Sequence, residues 1–128
     1  MCGIIGYIGD KQATPFLIEG LRRLEYRGYD SSGIAVKNGE ISVHKRIGKV
    51  AELESKVPSK IKGTCGIAHT RWATHGGVTD ANAHPHCSSD GKIALVHNGI
   101  IENARALRNR LEKEGTNLRS DTDSGALV

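Results

Sequence analysis

Cys2 stands directly after the initiator Met1 and is followed by Gly-Ile-Ile-Gly. A small second residue permits removal of Met1, which leaves Cys2 with a thiol and a free α-amine on one residue. An α-amine titrates near pH 8, so it can act as a base close to neutrality. A nucleophile whose base is its own amino terminus is an established solution for attack on an amide. The competing reading of Cys2 is a small buried residue opening an apolar strand, because free cysteine is among the most buried residue types. Further along the chain, Arg71 can fork onto a carboxylate. Asn98-Gly99, at the end of a predicted strand, can aim N–H donors at one point, as an oxyanion site requires, or can be a plain β-turn. His69, His75, His84, His86 and Cys87 are zinc-ligand types, but no second compact ligand pair follows at a normal interval, so the spacing argues against a metal site.

These residues need a folded frame, and 128 residues suffice for one domain with a core. The apolar runs are too short for a membrane-spanning helix, and no signal peptide is apparent. Three cysteines without motif spacing argue against a disulfide framework and point to a reducing, cytoplasmic setting. A net charge of +4 with five aromatic residues lacks the dense basic stripe or stacking platform of a nucleic-acid binder. Most of the charges read as solvated faces.

The pattern predicts a buried strand over Cys2 to Gly9, then a helix with Thr14 as N-cap and Pro15 at its first position. Strands follow at Gly33–Lys37 and Glu40–Arg46, joined by Asn38-Gly39 as a type I′ hairpin. A helix over Val50–Val57 and a strand over Thr64–Thr70 come next. Residues 71–91 form a long polar segment of the kind that carries function. A strand over Lys92–His97 and an amphipathic helix from Ile101 to Gly115 complete the pattern. The tail holds a one-turn helix start, so the chain is expected to be the front part of a larger domain.

Five segments then line up: Cys-Gly-Ile-Ile-Gly at 2–6, Leu-Glu-Tyr-Arg-Gly-Tyr-Asp-Ser at 24–31, His-Thr-Arg-Trp-Ala-Thr-His-Gly at 69–76, His-Asn-Gly-Ile-Ile-Glu-Asn at 97–103 and Ser-Asp-Thr-Asp-Ser at 120–124. In this order they closely resemble the class II glutamine amidotransferases, and among them the glutaminase domain of the glutamine–fructose-6-phosphate aminotransferase (isomerising) family. The resemblance covers nearly the whole chain. It implies an α+β fold, the four-layer αββα sandwich of the N-terminal nucleophile hydrolases, with its N-terminal portion over residues 1–128 and without the sugar-isomerase domains of the family.

The resemblance also implies roles. Cys2 matches the nucleophile, and Asn98 and Gly99 match the oxyanion hole. Arg71 matches the partner of the glutamine α-carboxylate, and Asp123 that of the α-ammonium. Trp72, Thr74 and His75 match a loop that closes over substrate. Arg27 and Gly28 match a loop supporting the nucleophile. The reaction implied is hydrolysis of the glutamine side-chain amide through a thioester, with no metal or organic cofactor. In the parent enzyme the ammonia goes to fructose 6-phosphate, bound by the sugar-isomerase domains, and the full-length protein is expected to be a homodimer. The alternative is a fragment that keeps the fold and binds glutamine without turnover. After Ser124 the chain departs from the family pattern, reading Gly125-Ala126-Leu127-Val128 where an acidic residue and a helix are usual.

Overall fold

The computed structural model describes residues 1–73 and 76–128. The elements are β1 (Gly3–Ile8), α1 (Ala13–Leu24), β2 (Ser31–Asn38), β3 (Glu40–Ile47), α2 (Val50–Lys56), β4 (Cys65–Arg71), β5 (His86–Cys87), β6 (Ala94–Leu95) and α3 (Ala104–Lys113). Short 3₁₀ turns cover Glu25–Arg27 and Ser124–Ala126. Among the described residues no helix is long and apolar enough to cross a membrane.

Four strands form one antiparallel sheet in the order β1-β4-β2-β3, and β5 pairs with β6 in a second, two-stranded sheet. The register sets Gly3 opposite Thr70 and Gly33 opposite His69. Side chains alternate across a sheet, so each strand divides its residues between two faces. Ile34 and Val36 of β2 and Ala68 of β4 turn to one face and meet Leu17, Ile18 and Leu21 of α1 with Val50 and Leu53 of α2. Burial of these aliphatic side chains, each worth roughly 1.5–3 kcal/mol, ties the two helices to the sheet. His69 and Arg71 fall on the other face. Continuing the alternation of β1, so does Cys2. The apolar half of each strand thus builds the core, and the other half is left for chemistry.

Gly33 makes that second face usable. A Cβ there would sit 2.1 Å from the His84 carbonyl oxygen, so only glycine lets the segment before β5 lie against the sheet. Gly33→Ala is expected to push this segment off the sheet and lower the thermal midpoint, with a cost of about 1–3 kcal/mol as for other overpacked sites. Thermal unfolding of the variant checks this, and an unchanged midpoint would refute the close packing.

Several sequence expectations are corrected. Strand β1 is half-buried rather than buried: Ile4 and Ile8 of this edge strand are exposed. Helix α1 starts before Thr14, because Ala13 donates to the Gly63 carbonyl at 2.7 Å while the Gln12 side chain accepts from Gly63 N–H at 2.9 Å. Thr14 and Pro15 therefore lie inside the first turn, not at its cap. The β2–β3 turn is not type I′, which needs two positive φ values. Gly39 alone has one, φ +75°, and Asn38 pairs with Glu40. The strand expected from Lys92 shrinks to Ala94–Leu95, since Lys92 N–H goes to Asp90 Oδ1 and Ile93 N–H to Ser88 Oγ instead of a neighbouring strand. Helix α3 starts at Ala104, as Ile101 N–H is taken by Asp123, and none of its residues is buried. Its Arg108 is not a solvated charge: the guanidinium donates to the Ser120 carbonyl at 2.8 Å.

Candidate active site

A cleft of about 530 Å³ opens where the N-terminus, the end of β4, the segment after β6 and the tail meet. Cys2, Arg27, Arg71, Trp72, Asn98, Gly99 and Asp123 all line it. Residues as distant in sequence as Cys2 and Asp123 are therefore brought to one space by the β1–β4 pairing and by the two chain segments that fold back over β4. Gly28 sits behind the lining rather than in it. A Cβ at Gly28 would come 3.0 Å from the Trp72 ring, so this glycine gives the indole its seat. Thr74 and His75 lie outside the described residues.

The Cys2 sulfur accepts a hydrogen bond from Trp72 N–H at 3.1 Å. Gly3 N–H donates to Thr70 Oγ1 at 3.1 Å, which fixes the backbone just behind the thiol. Met1 is at the cleft mouth, its terminal ammonium donating to the Arg27 carbonyl at 2.6 Å and its sulfur 3.6 Å from an Arg27 guanidinium nitrogen. The turn that carries Trp72 is clamped by Asp30. Its N–H donates to the Arg71 carbonyl at 2.7 Å, and its carboxylate accepts from Ala73 N–H and, at 2.9 Å, from the Ser31 hydroxyl. Asp30 was legible only as part of the segment 24–31.

At the end of β4, Arg71 is almost fully buried and donates to the Gly77 carbonyl at 3.1 Å. Asp123 accepts from Ile101 N–H at 2.7 Å and from Ser124 N–H at 2.8 Å. A cation and a carboxylate, each braced by backbone, thus face the same space as the thiol. Gly99 has φ +153°, and a Cβ there would meet the His97 ring at 2.8 Å, so Asn98-Gly99 needs glycine at its second position.

The histidines do what the sequence left open. His69 stacks on His84 with ring centroids 4.4 Å apart, and His86 packs against His84 at 4.3 Å with its ring tilted by 57°. His69 meets Asn98 Oδ1 at 2.6 Å, His86 meets Thr122 Oγ1 at 2.8 Å, and His97 meets Ser124 Oγ at 3.0 Å. These contacts escaped sequence reasoning because the rings come from three separate segments. Burial is the main cause that holds His69 and His86 down to about 4 and His84 to about 2, helped by the nearby positive charge of Arg71. All three rings are neutral at pH 7.

Each ring binds its proton more weakly folded than unfolded, where the value is 6.5. The unfolded chain then takes up protons first as pH falls, so stability is full above pH 6.5 and declines toward about 4. A denaturation series between pH 7.5 and 4.5 is expected to show a steep fall in midpoint below about 6.5, and a flat profile would contradict the neutral stack.

Residues 59–128 match the glutamine amidotransferase domain family. The chain is 57% identical to the glutamine–fructose-6-phosphate aminotransferase [isomerizing] of Bacteroides thetaiotaomicron, over 100% of this chain and 21% of that protein. It is 56% identical to the same-named protein of Thermus thermophilus, over 100% of this chain and 22% of that protein. The chain spans about a fifth of the length of the curated relatives it matches. Among solved structures, the glutamine phosphoribosylpyrophosphate amidotransferase from B. subtilis superposes with a TM-score of 0.81 at 31% identity, over 99% of this chain and 28% of that one. The fold shared with it is that of the N-terminal nucleophile hydrolases, represented here by its N-terminal part. From the match over more than half of its length, the chain belongs to the glutamine amidotransferase domain family.

Proposed function

We propose that this chain hydrolyses the side-chain amide of glutamine, with Cys2 as nucleophile. The observation that carries the reading is the convergence of the Cys2 thiol, the Asn98-Gly99 donors, Arg71 and Asp123 on one cleft. Its volume is within the range usual for small-ligand sites. Arg71 takes the α-carboxylate in a fork, and Asp123 takes the α-ammonium. With both groups on the α-carbon held, the side-chain amide reaches toward Cys2. Positioning of this kind lowers the entropic part of the barrier.

The sulfur attacks the amide carbon, forming a C–S bond while the carbonyl oxygen becomes an oxyanion. The Asn98 side-chain amide and the Gly99 backbone N–H donate to that oxygen. The C–N bond then breaks, and ammonia leaves with the proton taken from the thiol. The α-amine of Cys2, free once Met1 is removed, carries the proton between them. Water attacks the thioester, the C–S bond breaks, and glutamate leaves with the thiol restored. Trp72, which lines the cleft, covers the bound substrate and limits premature entry of water.

The relatives, about five times as long as this chain, extend the proposal to a longer parent protein. There the ammonia would pass to fructose 6-phosphate held by sugar-isomerase domains, in a cytoplasmic homodimer. The three free cysteines fit that compartment.

The test is the intact mass of the protein before and after a glutamine-mimicking electrophile, with glutamate release measured beside it. Loss of Met1, one adduct on Cys2 and glutamate formation are expected. Glutamine binding with neither adduct nor glutamate would leave a binding module and sink the catalytic reading.

A further inference from the structure

We propose that His69 is a positioning residue for the oxyanion site, holding the Asn98 carboxamide so that its NH₂ group, not its oxygen, faces the cleft. The inference rests on the reading of Asn98 as an oxyanion donor and adds how that donor is oriented.

A carboxamide has a donor end and an acceptor end of nearly equal shape. Rotation by half a turn exchanges them. Pointed the wrong way, Asn98 would offer its carbonyl oxygen to the growing negative charge and oppose the reaction. The residue is exposed, three residues beyond β6, so packing does not choose the orientation. His69 does. Its Nε2 lies 2.6 Å from Asn98 Oδ1. An amide oxygen only accepts, so the contact needs a hydrogen on Nε2. The His97 backbone also lies close to the ring, but no described group comes within hydrogen-bond geometry of His69 Nδ1, and the contact with Asn98 places the proton on Nε2.

The ring itself is fixed. His69 is fully buried on β4, between β1 and β2 in the sheet. One face is stacked on His84 at 4.4 Å with 23° between the planes. His84 Nδ1 in turn accepts from His97 N–H at 3.4 Å, one residue before Asn98. The stack therefore holds both the backbone entering Asn98 and the group that binds its side chain. Burial keeps His69 neutral at pH 7, so it contributes a donor without adding a full positive charge beside Arg71.

The test is a double-mutant cycle in the full-length protein, read as steady-state glutamine hydrolysis. His69→Phe keeps a ring but removes the donor, and is expected to lower kcat about 10- to 100-fold while glutamine KM changes less than about 3-fold, a partial version of losing one oxyanion donor. His69→Gln, which can still donate, is expected to recover most of that loss. Because His69 acts through Asn98, the pair His69→Phe with Asn98→Ala should be no slower than Asn98→Ala alone. Multiplying losses in the pair, or a loss confined to KM, would overturn the proposal. Thermal midpoints of each variant identify any that fail to fold. A second measurement needs no variant: nitrogen-15 spectra of histidine-labelled protein should show His69 as the Nε2–H tautomer, and the Nδ1–H tautomer overturns the proposal. Labelling of wild-type Cys2 by the electrophile separates the two levels. No labelling sinks the reading of the cleft, whereas labelling with an additive cycle sinks only the role of His69.

Discussion

Cys2→Ala is expected to abolish glutamine hydrolysis and adduct formation while leaving the fold and glutamine binding in place. On the proposed mechanism the sulfur forms and breaks the covalent bond to substrate, and removing a nucleophile of this kind costs on the order of 10⁴-fold or more in kcat. Structurally the substitution is mild. The sulfur is bonded only to the backbone of Trp72 among the described residues, and Cys2 lies outside the buried core. The thermal midpoint is therefore expected to stay close to wild type. Glutamate release, intact mass and thermal unfolding together decide the matter. Full activity in Cys2→Ala would remove the nucleophile assignment, and a collapsed midpoint would make the activity loss uninformative about chemistry.

Asn98→Ala is expected to lower kcat by about 10² to 10³, as for other oxyanion donors, with glutamine KM nearly unchanged. The split is the informative part. A donor that meets negative charge only in the transition state affects kcat, whereas one that grips the ground-state amide raises KM as well. Asn98 is exposed and its side chain bonds to His69, so its removal should leave the fold intact. A variant with wild-type kcat would show that Gly99 N–H alone serves the oxyanion, or that the oxyanion lies elsewhere.

The core and its helices were legible because they obey periodicity. Leu17, Ile18 and Leu21 recur at helical spacing, and Ile34 and Val36 alternate on a strand. The functional segments were legible for a different reason: Cys2, Arg71, Asn98 and Asp123 each lie in a short string of unusual residues that resembles a family. What escaped was set by contacts distant in sequence. The cap of α1 moved because Gly63, far along the chain, ties Gln12 and Ala13. The strand before Asn98 shortened because Ser88 and Asp90 intercept its backbone donors. The histidines read as candidate ligands because their types were visible, but their stacking depends on the missing side chain of Gly33. No local pattern reports that one glycine lets a carbonyl approach a sheet.

The pairing of β1 has a consequence for the timing of synthesis. The sheet neighbour of β1 is β4, and Gly3 and Thr70 are 67 positions apart. Translation at about 5–20 residues per second leaves several seconds between the emergence of the two strands. During that interval the first strand has no sheet to join, and Met1 has no folded Arg27 loop on which to dock. The amino terminus is therefore open to trimming while the chain is still growing, and Met1 stays exposed even after the strand carrying His69 and Arg71 has arrived.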